Sequence, residues 1–284
     1  MEITVYAGIF LLGLAIGSFL NALVFRLGTA ESMLWGRSHC MTCKHILEWH
    51  ELLPVASFAM LGGKCRACHS PISVQYPIVE LLTAAVFLLI YMSYKNAIFL
   101  ASPFAVFGGQ ANIFWNAGGL LFYFLAATLL LGIGIYDFRT KIIAPALMWP
   151  FFILALIGLA VQWFSGAAFA GIAATVITAL AVFGFFAGLW FFSKGRAMGF
   201  GDAELALAII LFLGPLLGVA ALLFAFWLGA LFGILLIALG RARLKSDIPF
   251  GPFLVAGAFV AMLFNNLAFN FFALRAFPYN IFVY

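Results

Sequence analysis

Charged residues are scarce in this chain: Asp, Glu, Lys and Arg make up only 8% of its 284 residues. Water-soluble domains carry about 25% charged residues, which keep their surfaces hydrated. With a mean hydropathy of +1.19, the chain cannot hide its apolar surface from water by folding alone. The shortage excludes a soluble globular enzyme and indicates a protein that lies mostly in lipid.

Several familiar sets of reactive side chains are also missing from the apolar segments. All four histidines lie between residues 39 and 69, so no serine in the apolar segments has a histidine beside it to act as a base. The chain has no H-E-x-x-H motif, no P-loop, and no G-x-G-x-x-G that opens a helix after a strand. What remains for chemistry within the apolar segments is a small number of carboxylates and amides.

Apolar windows of about 20 residues predict about eight transmembrane helices in an all-α protein. They lie near 4–26, 76–94, 113–136, 143–163, 168–193, 203–218, 219–240 and 250–273. The run 203–240 has no Lys or Arg and is interrupted by "LGPLLG" at 213–218. This interruption favours two helices joined by a tight turn, with one long tilted helix as the alternative.

The positive charges predict the orientation of these helices. With eight spans, every one of the fourteen Lys and Arg residues except Lys95 and Arg275 falls on the side of the loop 27–75. Because basic residues concentrate in cytoplasmic loops, that side is predicted to be cytoplasmic. The net charge of +5 is then a consequence of topology, and no nucleic-acid partner is expected. The predicted organisation is a first helix at 1–26, a cytoplasmic loop at 27–75 and a membrane core at 76–284.

The four cysteines form two C-x2-C pairs in this loop, "HCMTCKH" and "KCRACHS". The pairs consist of Cys40 with Cys43 and Cys65 with Cys68. Two such pairs supply four thiolates to one tetrahedral ion, which predicts a structural zinc site that holds the loop compact. A structural disulfide does not suit the reducing cytosol, and redox chemistry or a site without metal are the alternatives. The flanking histidines, which are expected outside the ligand set, are His39, His45 and His69.

Four polar residues are predicted at one depth near the cytoplasmic ends of four helices. Asp137 ends the third predicted span and Asp202 begins the sixth. Glu80 lies about one turn inside the second span and Asn21 about a turn and a half inside the first, counting about 1.5 Å per residue. Because charge is costly beside hydrocarbon, such residues are functional candidates.

Two aspartates at equal depth suit the arrangement of an aspartic peptidase, in which a carboxyl pair shares one proton. Gly199 and Gly201 in "GFGD" would permit close approach and unusual dihedral angles beside Asp202. Each carboxylate also has a simpler interpretation, since Asp137 could be an ordinary interface residue and Asp202 a helix N-cap. For Glu80 and Asn21, both a structural role and a role in hydrating the site or holding the substrate are open. Asn21 in particular suits an interhelical hydrogen bond.

These motifs together resemble the type IV prepilin peptidases, the bifunctional leader peptidase/N-methyltransferases. The resemblance covers most of the chain. It rests on "GSFLNALVFRL", the two cysteine pairs with "QYPIVELLT", "YDFRTKIIAPALMWP", "GFGDAEL" and "IPFGPFLVAGA". It implies an aspartic peptidase of the bacterial inner membrane with Asp137 and Asp202 as the catalytic pair and the four cysteines as zinc ligands. It also implies cleavage of the basic leader of prepilins or pseudopilins after a glycine, followed by methylation of the new N-terminus from S-adenosylmethionine.

Two positions depart from the family's pattern. Ala144 separates Ile143 from Pro145, where many members have Ile-Pro or Leu-Pro, and Glu204 stands where many have lysine. Neither change removes a catalytic carboxylate, but the substrate preference, the retention of methyl transfer and the oligomeric state stay open. The competing interpretations are an ion- or metal-coupled transporter and a zinc-containing membrane adaptor.

Overall fold

The computed structural model of the chain describes residues 2–27, 36–95, 113–196, 198–241 and 248–263. The regular elements of these residues are helices. Their bounds are α1 Glu2–Arg26, α2 Ala56–Met60, α3 Gln75–Lys95, α4 Ile113–Thr140, α5 Pro145–Phe164, α6 Phe169–Ser193, α7 Phe200–Leu213, α8 Pro215–Ala238 and α9 Gly251–Leu263, with a 3-10 helix at Trp49–Leu52. Helices suit this composition because they satisfy their own backbone hydrogen bonds, which lipid cannot do.

The all-α prediction is confirmed, and among the described residues eight helices overlap the eight predicted spans, although a membrane crossing by α7 and α9 stays a prediction. Six of them, α1, α3, α4, α5, α6 and α8, are long and apolar enough to cross a membrane. The chain is therefore a multi-pass membrane protein. The helices α7 and α9 are shorter, with 14 and 13 residues. The predicted outer loop 97–112 and the end of the last predicted span, 264–273, lie outside the described residues.

The predicted break within 203–240 is confirmed, but it falls earlier than expected. Gly214 has a φ of 84° and Pro215 is the first residue of α8, so the turn occupies a single residue. Proline suits this first position because its missing N–H would have no partner there. Gly218 lies inside α8, where an added Cβ would meet Ile210 Cα at 2.8 Å. It therefore permits close packing of α8 on α7 and does not end a helix.

The chain divides into two compact units, residues 1–92 and the residues from 93 onward. In the first unit, α1 and α3 run antiparallel. Tyr6 contacts Tyr91 at one end and Phe25 stacks on Tyr76 at the other, with ring centroids 5.4 and 5.1 Å apart. A Cβ on Gly17 would lie 2.6 Å from the Cα of Glu80, so only glycine allows the two backbones to meet there.

The second unit is built around the short helix α7, which packs against α5, α6, α8 and α9. Most of its side chains are buried. The helix α4 packs against α5 and α9, and Gly257 brings α9 directly against the backbone of α8 at Ala221 and Ala225. The first turn of α7 is thereby held inside a bundle of apolar helices.

Candidate active site and metal centre

Asp137 lies in the last turn of α4 and is only 4% exposed. The helix ends there because Lys141 adopts a φ of 57° and its N–H donates to the Asp137 carbonyl at 2.7 Å. A left-handed residue of this kind satisfies a carbonyl at a helix end that would otherwise lack a partner. The next helix, α5, begins at Pro145, and Ala144 is its buried N-cap. The departure at Ala144 is thus accommodated by an ordinary helix start.

Asp202 is the third residue of α7 and is 9% exposed. Its Oδ2 accepts a hydrogen bond from the backbone N–H of Gly199 at 3.2 Å. The N-cap is Gly199, so the interpretation of Asp202 itself as the N-cap is wrong, because the helix begins two residues before it. A carboxylate in the first turn is stabilised by the positive end of the helix dipole.

The expectation of unusual dihedral angles at the two motif glycines is also wrong. Gly199 is extended, with φ −73° and ψ 148°, a conformation open to any residue. Gly201 is helical, and a Cβ there would lie 3.1 Å from Ile143 Cβ in the segment between α4 and α5. The glycine at 201 therefore lets the start of α7 pack tightly against the segment that follows Asp137.

The second unit brings Asp137 and Asp202 close enough for their charges to interact. The backbone N–H of Gly251, the first residue of α9, faces the Asp137 carboxylate. A Cβ at Gly251 would lie 2.5 Å from Asp137 Oδ2. Sequence reasoning did not assign Gly251 to the site, and the only signal was its place in the quoted "IPFGPFLVAGA". The glycine leaves the space that the carboxylate occupies.

Asp137 Oδ2 is buried and has no hydrogen-bond partner among the described residues. A buried carboxylate oxygen without a partner is unfavourable by about 1–3 kcal/mol or more. Such an oxygen is available to a water molecule, a shared proton or a substrate group. Acid–base cleavage of an amide by an aspartic peptidase requires two carboxyl groups that share one proton, and the interacting charges of Asp137 and Asp202 are compatible with that requirement.

Glu80 and Asn21 lie in the first unit, where each joins parts of the chain. Glu80 Oε2 accepts a hydrogen bond from the backbone N–H of Val55 at 2.7 Å, and its carboxylate also bonds to Ser18. Asn21 is fully buried and donates from Nδ2 to the carbonyl of Tyr76 at 3.1 Å. The interhelical hydrogen bond expected of Asn21 is present. That these two residues share the depth of the aspartate pair stays a prediction.

The four cysteines lie together in the first unit. Their sulfur atoms are all within 4.8 Å of one another. Cys40 and Cys68 are 3.8 Å apart, and Cys43 and Cys65 are 4.0 Å apart. Zinc–sulfur bonds of about 2.3 Å place the sulfurs of a tetrahedral site about 3.8 Å from each other. The cluster therefore has the size and donor set of a site for a metal ion.

The two cysteine pairs have the same backbone geometry. Cys40 N–H donates to His45 O and Cys65 N–H to Ser70 O, both at 2.9 Å. The residue after each second cysteine, Lys44 or His69, is left-handed, with φ of 60° or 56°. The backbone N–H of Cys43 stabilises the thiolate of Cys40 and lowers its pKa to about 6. The thiolate is the form of cysteine that binds metal, and the two turns direct their four sulfur atoms to one point.

The metal-binding cluster among the described residues contains only the four thiols, without the flanking histidines. His45 Nε2 lies 3.4 Å from Glu51 Oε2, which also accepts the backbone N–H of Glu48 at 2.9 Å. The N–H of Glu48 is the main cause that lowers the pKa of Glu51. The buried Glu51 thus fastens the 3-10 helix, a role that its place in the sequence did not reveal.

Comparison with known proteins adds independent information. The model of the Bacterial Peptidase A24 N-terminal domain matches residues 11–94, and that of the Type IV leader peptidase family matches residues 123–234. Among curated proteins, a prepilin leader peptidase/N-methyltransferase from Burkholderia pseudomallei strain 1026b is 31% identical, over 90% of this chain and 84% of the relative.

Two further relatives carry the same name. The Pseudomonas aeruginosa protein is 29% identical over 90% of this chain and 89% of its own length. The Bacillus subtilis protein is 29% identical over 93% of this chain and 96% of its own. No solved structure matches the chain. By its similarity over nearly its whole length, the chain belongs to the prepilin leader peptidase/N-methyltransferase family.

Proposed function

We propose that this protein is an intramembrane aspartic endopeptidase that removes the short basic leader from type IV prepilins or pseudopilins. Asp137 and Asp202 are the catalytic pair in this proposal. The observation that carries it is the buried Oδ2 of Asp137, which lacks a partner among the described residues and belongs to a carboxylate whose charge interacts with Asp202. The membership of the chain in the prepilin leader peptidase family supports the choice of substrate.

The chemistry follows from one proton shared by two carboxyl groups. The ionised member removes a proton from water, whose oxygen attacks the scissile carbonyl carbon, while the protonated member donates to the carbonyl oxygen. When the tetrahedral intermediate collapses, the C–N bond breaks and the leaving amine takes up a proton from the pair. The protons belong to the pair as a unit, so the roles are not divided between Asp137 and Asp202.

The site suits the position of the substrate in the membrane. A prepilin is held by its apolar helix while its leader stays in the cytoplasm, so the bond to be cut lies at the boundary. Asp137 ends α4 and Asp202 begins α7, and two long apolar helices separate them in the chain. An even number of crossings returns the chain to the same face. The distribution of basic residues supports the cytoplasmic face of the inner membrane.

We also propose zinc for the four-cysteine cluster and S-adenosylmethionine as the methyl donor. The thiol donors and the tetrahedral size fit zinc. Four cysteine ligands leave no open coordination position, so the ion holds the loop and does not take part in cleavage. S-adenosylmethionine would supply a methyl group to the new N-terminal amine, which would lose one proton as the sulfonium loses its methyl group. The names of the relatives support this second activity.

The proposed functional division is a first helix at 1–26, a zinc loop at 27–75 and a peptidase core at 76–284. Gly199 and Gly201 support the core by shaping the start of α7. Asn21 and Glu80 act as structural residues in this proposal, since each has a partner that joins α1, the loop or α3. A direct contact of either residue with the substrate strand is the alternative.

Cleavage of a pseudopilin in membranes tests the function. Wild type should release the leader and yield a mature N-terminus whose mass is one methyl group heavier, as measured by mass spectrometry. Asp137→Asn and Asp202→Asn should each lower cleavage by about 10²-fold or more while remaining inserted and keeping their metal. If either variant cleaved normally, the two-aspartate mechanism would be rejected. An adaptor or a transporter would give no mature product in any of the three.

A further inference from the structure

The segment between the two cysteine pairs, residues 49–60, has several large apolar side chains on the surface. Trp49 is 77% exposed and Met60 is 80% exposed, and Leu52 and Leu53 are also exposed. This segment comprises the 3-10 helix, a turn and the short helix α2. A short loop that lay wholly in water would not gain from exposing these side chains. The proposed function does not use them.

A hydrogen bond ties the middle of this segment to a membrane helix. The backbone N–H of Val55 donates to Glu80 Oε2 at 2.7 Å. Glu80 is the sixth residue of α3, which begins at Gln75, and five steps of about 1.5 Å place it about 7 Å along the helix axis. Val55 is therefore held beside the second turn of α3 and not beyond its end.

The length of α3 indicates how deep Glu80 and Val55 lie in the membrane. The helix has 21 residues, and at about 1.5 Å per residue this is close to the hydrocarbon thickness of about 30 Å. Such a helix has no turns to spare, so its second turn lies in the outermost part of the hydrocarbon layer, about 7 Å below the headgroups. The segment 49–60 is attached at that level.

The backbone of Val55 supports a fixed attachment. Val55 has φ 61° and ψ −47°, a conformation that a β-branched side chain strongly disfavours. Strain of this kind persists only where the surroundings enforce it. Glu80, which accepts the hydrogen bond from Val55, is itself buried and lies against Gly17 of α1. The attachment thus joins the loop to the packed pair α1 and α3.

The chemistry of the exposed surface fits lipid. Tryptophan is enriched at membrane interfaces because its ring is amphipathic. Arg66 Nη1 lies 2.7 Å from His50 Nε2, which places a guanidinium group beside Trp49. Lys64 is exposed in the same cysteine pair as Arg66. Basic groups beside an apolar surface are attracted to anionic headgroups.

We propose that residues 49–60 form an interfacial segment that lies in the headgroup–acyl boundary, with Trp49 and Met60 in contact with lipid. The partner is the bilayer itself, rich in anionic lipid. The segment attaches the metal-binding loop to the membrane surface, and Glu80 is a positioning residue for it. This inference concerns the first unit alone and does not depend on the peptidase assignment.

The test uses the fluorescence of Trp49 in the full-length protein with its metal, reconstituted into phosphatidylglycerol-containing vesicles. Subtracting the signal of Trp49→Phe from that of wild type isolates Trp49 from the other tryptophans. We expect this difference signal to be lost with lipids brominated near the headgroup end of the acyl chain. It should be weakened less by lipids brominated near the chain end, and little by aqueous iodide.

Two results would overturn the inference. Quenching of the Trp49 signal by iodide, with no effect of either brominated lipid, would place the segment in water. A signal that neither lipid nor iodide quenches would mean that protein covers it. A second pair of variants tests the attachment: Glu80→Leu should shift Trp49 from lipid quenching toward iodide quenching, whereas Glu80→Gln, which keeps an acceptor oxygen, should not. The metal content of both variants reports that the loop remains folded.

Discussion

Glu80 and Asp137 are both carboxylates buried in apolar helices, one in each unit, yet their surroundings are opposite. Glu80 accepts a hydrogen bond from the backbone N–H of Val55 and bonds to Ser18. Asp137 keeps one buried oxygen without a partner among the described residues, beside a second carboxylate. The difference teaches that burial of a carboxylate does not identify reactivity by itself. Glu80, whose carboxylate is bonded to its neighbours, holds the structure, whereas Asp137 combines an open oxygen with a second carboxylate nearby, and this combination is what acid–base chemistry needs.

The largest effect is expected where the open oxygen of Asp137 would be displaced. Gly251→Ala introduces a Cβ that would lie 2.5 Å from Asp137 Oδ2, so the carboxylate must move. A misplacement of about 1 Å can lower a catalytic rate by about 10²-fold, and we expect a loss of this order in the initial rate of pseudopilin cleavage. The matched control is Gly184→Ala in α6, whose Cβ would meet no described atom within 4 Å.

If Gly251→Ala cleaved as well as Gly184→Ala, the position of the Asp137 carboxylate would not limit the reaction. The open oxygen of Asp137 would then not explain why Asp137 differs from Glu80, because moving a catalytic oxygen should slow the reaction.

Substitution of a cysteine in the first unit should remove the bound zinc completely but should lower the rate of cleavage less than Gly251→Ala does. Cys65→Ser removes the buried thiol of the cluster and should reduce zinc, measured by elemental mass spectrometry, from about one ion per chain to near none. Cleavage should fall less than in Gly251→Ala, because the aspartate pair lies in the other unit. His39→Gln is the control and should retain zinc. Zinc retained by Cys65→Ser would contradict the four-cysteine site.

Glu80 separates a structural carboxylate from a catalytic one. Glu80→Ala leaves the N–H of Val55 without its acceptor and should lower the free energy of unfolding by about 1–3 kcal/mol. Glu80→Gln keeps an acceptor oxygen and should lower it less. Thermal unfolding in detergent, followed alongside cleavage, measures both. Equal loss of cleavage in the two variants without loss of stability would instead assign the charge of Glu80 to the site.

The smallest effect is expected at Gly199. Its φ of −73° is open to alanine, and an added Cβ would lie at an ordinary 3.4 Å from Asp202 Oδ2. Gly199→Ala should therefore cost about 1 kcal/mol of stability, since alanine is a poorer N-cap than glycine, and should cleave nearly as wild type does. A large loss of cleavage at unchanged stability would mean that substrate fills the space beside Gly199.

The helices and the aspartates were predictable because their signals are local. Long apolar runs predict helices, and the Gly214–Pro215 pair predicts the break in 203–240. A carboxylate within an apolar segment is recognised from the sequence alone. The position of that break was less predictable, since Gly218 also looks like a helix breaker and proved to be a packing contact. A glycine can end a helix or permit close packing of two helices, and which of these it does depends on the helices around it.

The contacts that distinguish Glu80 from Asp137 could not be predicted from the sequence. Each depends on a backbone group distant in sequence, the N–H of Val55 in one case and Gly251 in the other. A backbone N–H has no side-chain signature, and any residue except proline supplies one. Only the packing of the helices shows which buried oxygen is satisfied and which is open.

The most direct test of the account is a double-substitution measurement on the aspartate pair. Cleavage is measured under single-turnover conditions with excess enzyme for wild type, Asp137→Asn, Asp202→Asn and the double variant, all inserted and all with bound zinc. Groups that act as one unit are not additive, so each single variant should lose about 10²-fold or more, and the double variant should be no slower than the singles. Losses that multiply in the double variant, or a single variant that cleaves normally, would contradict the shared-proton mechanism.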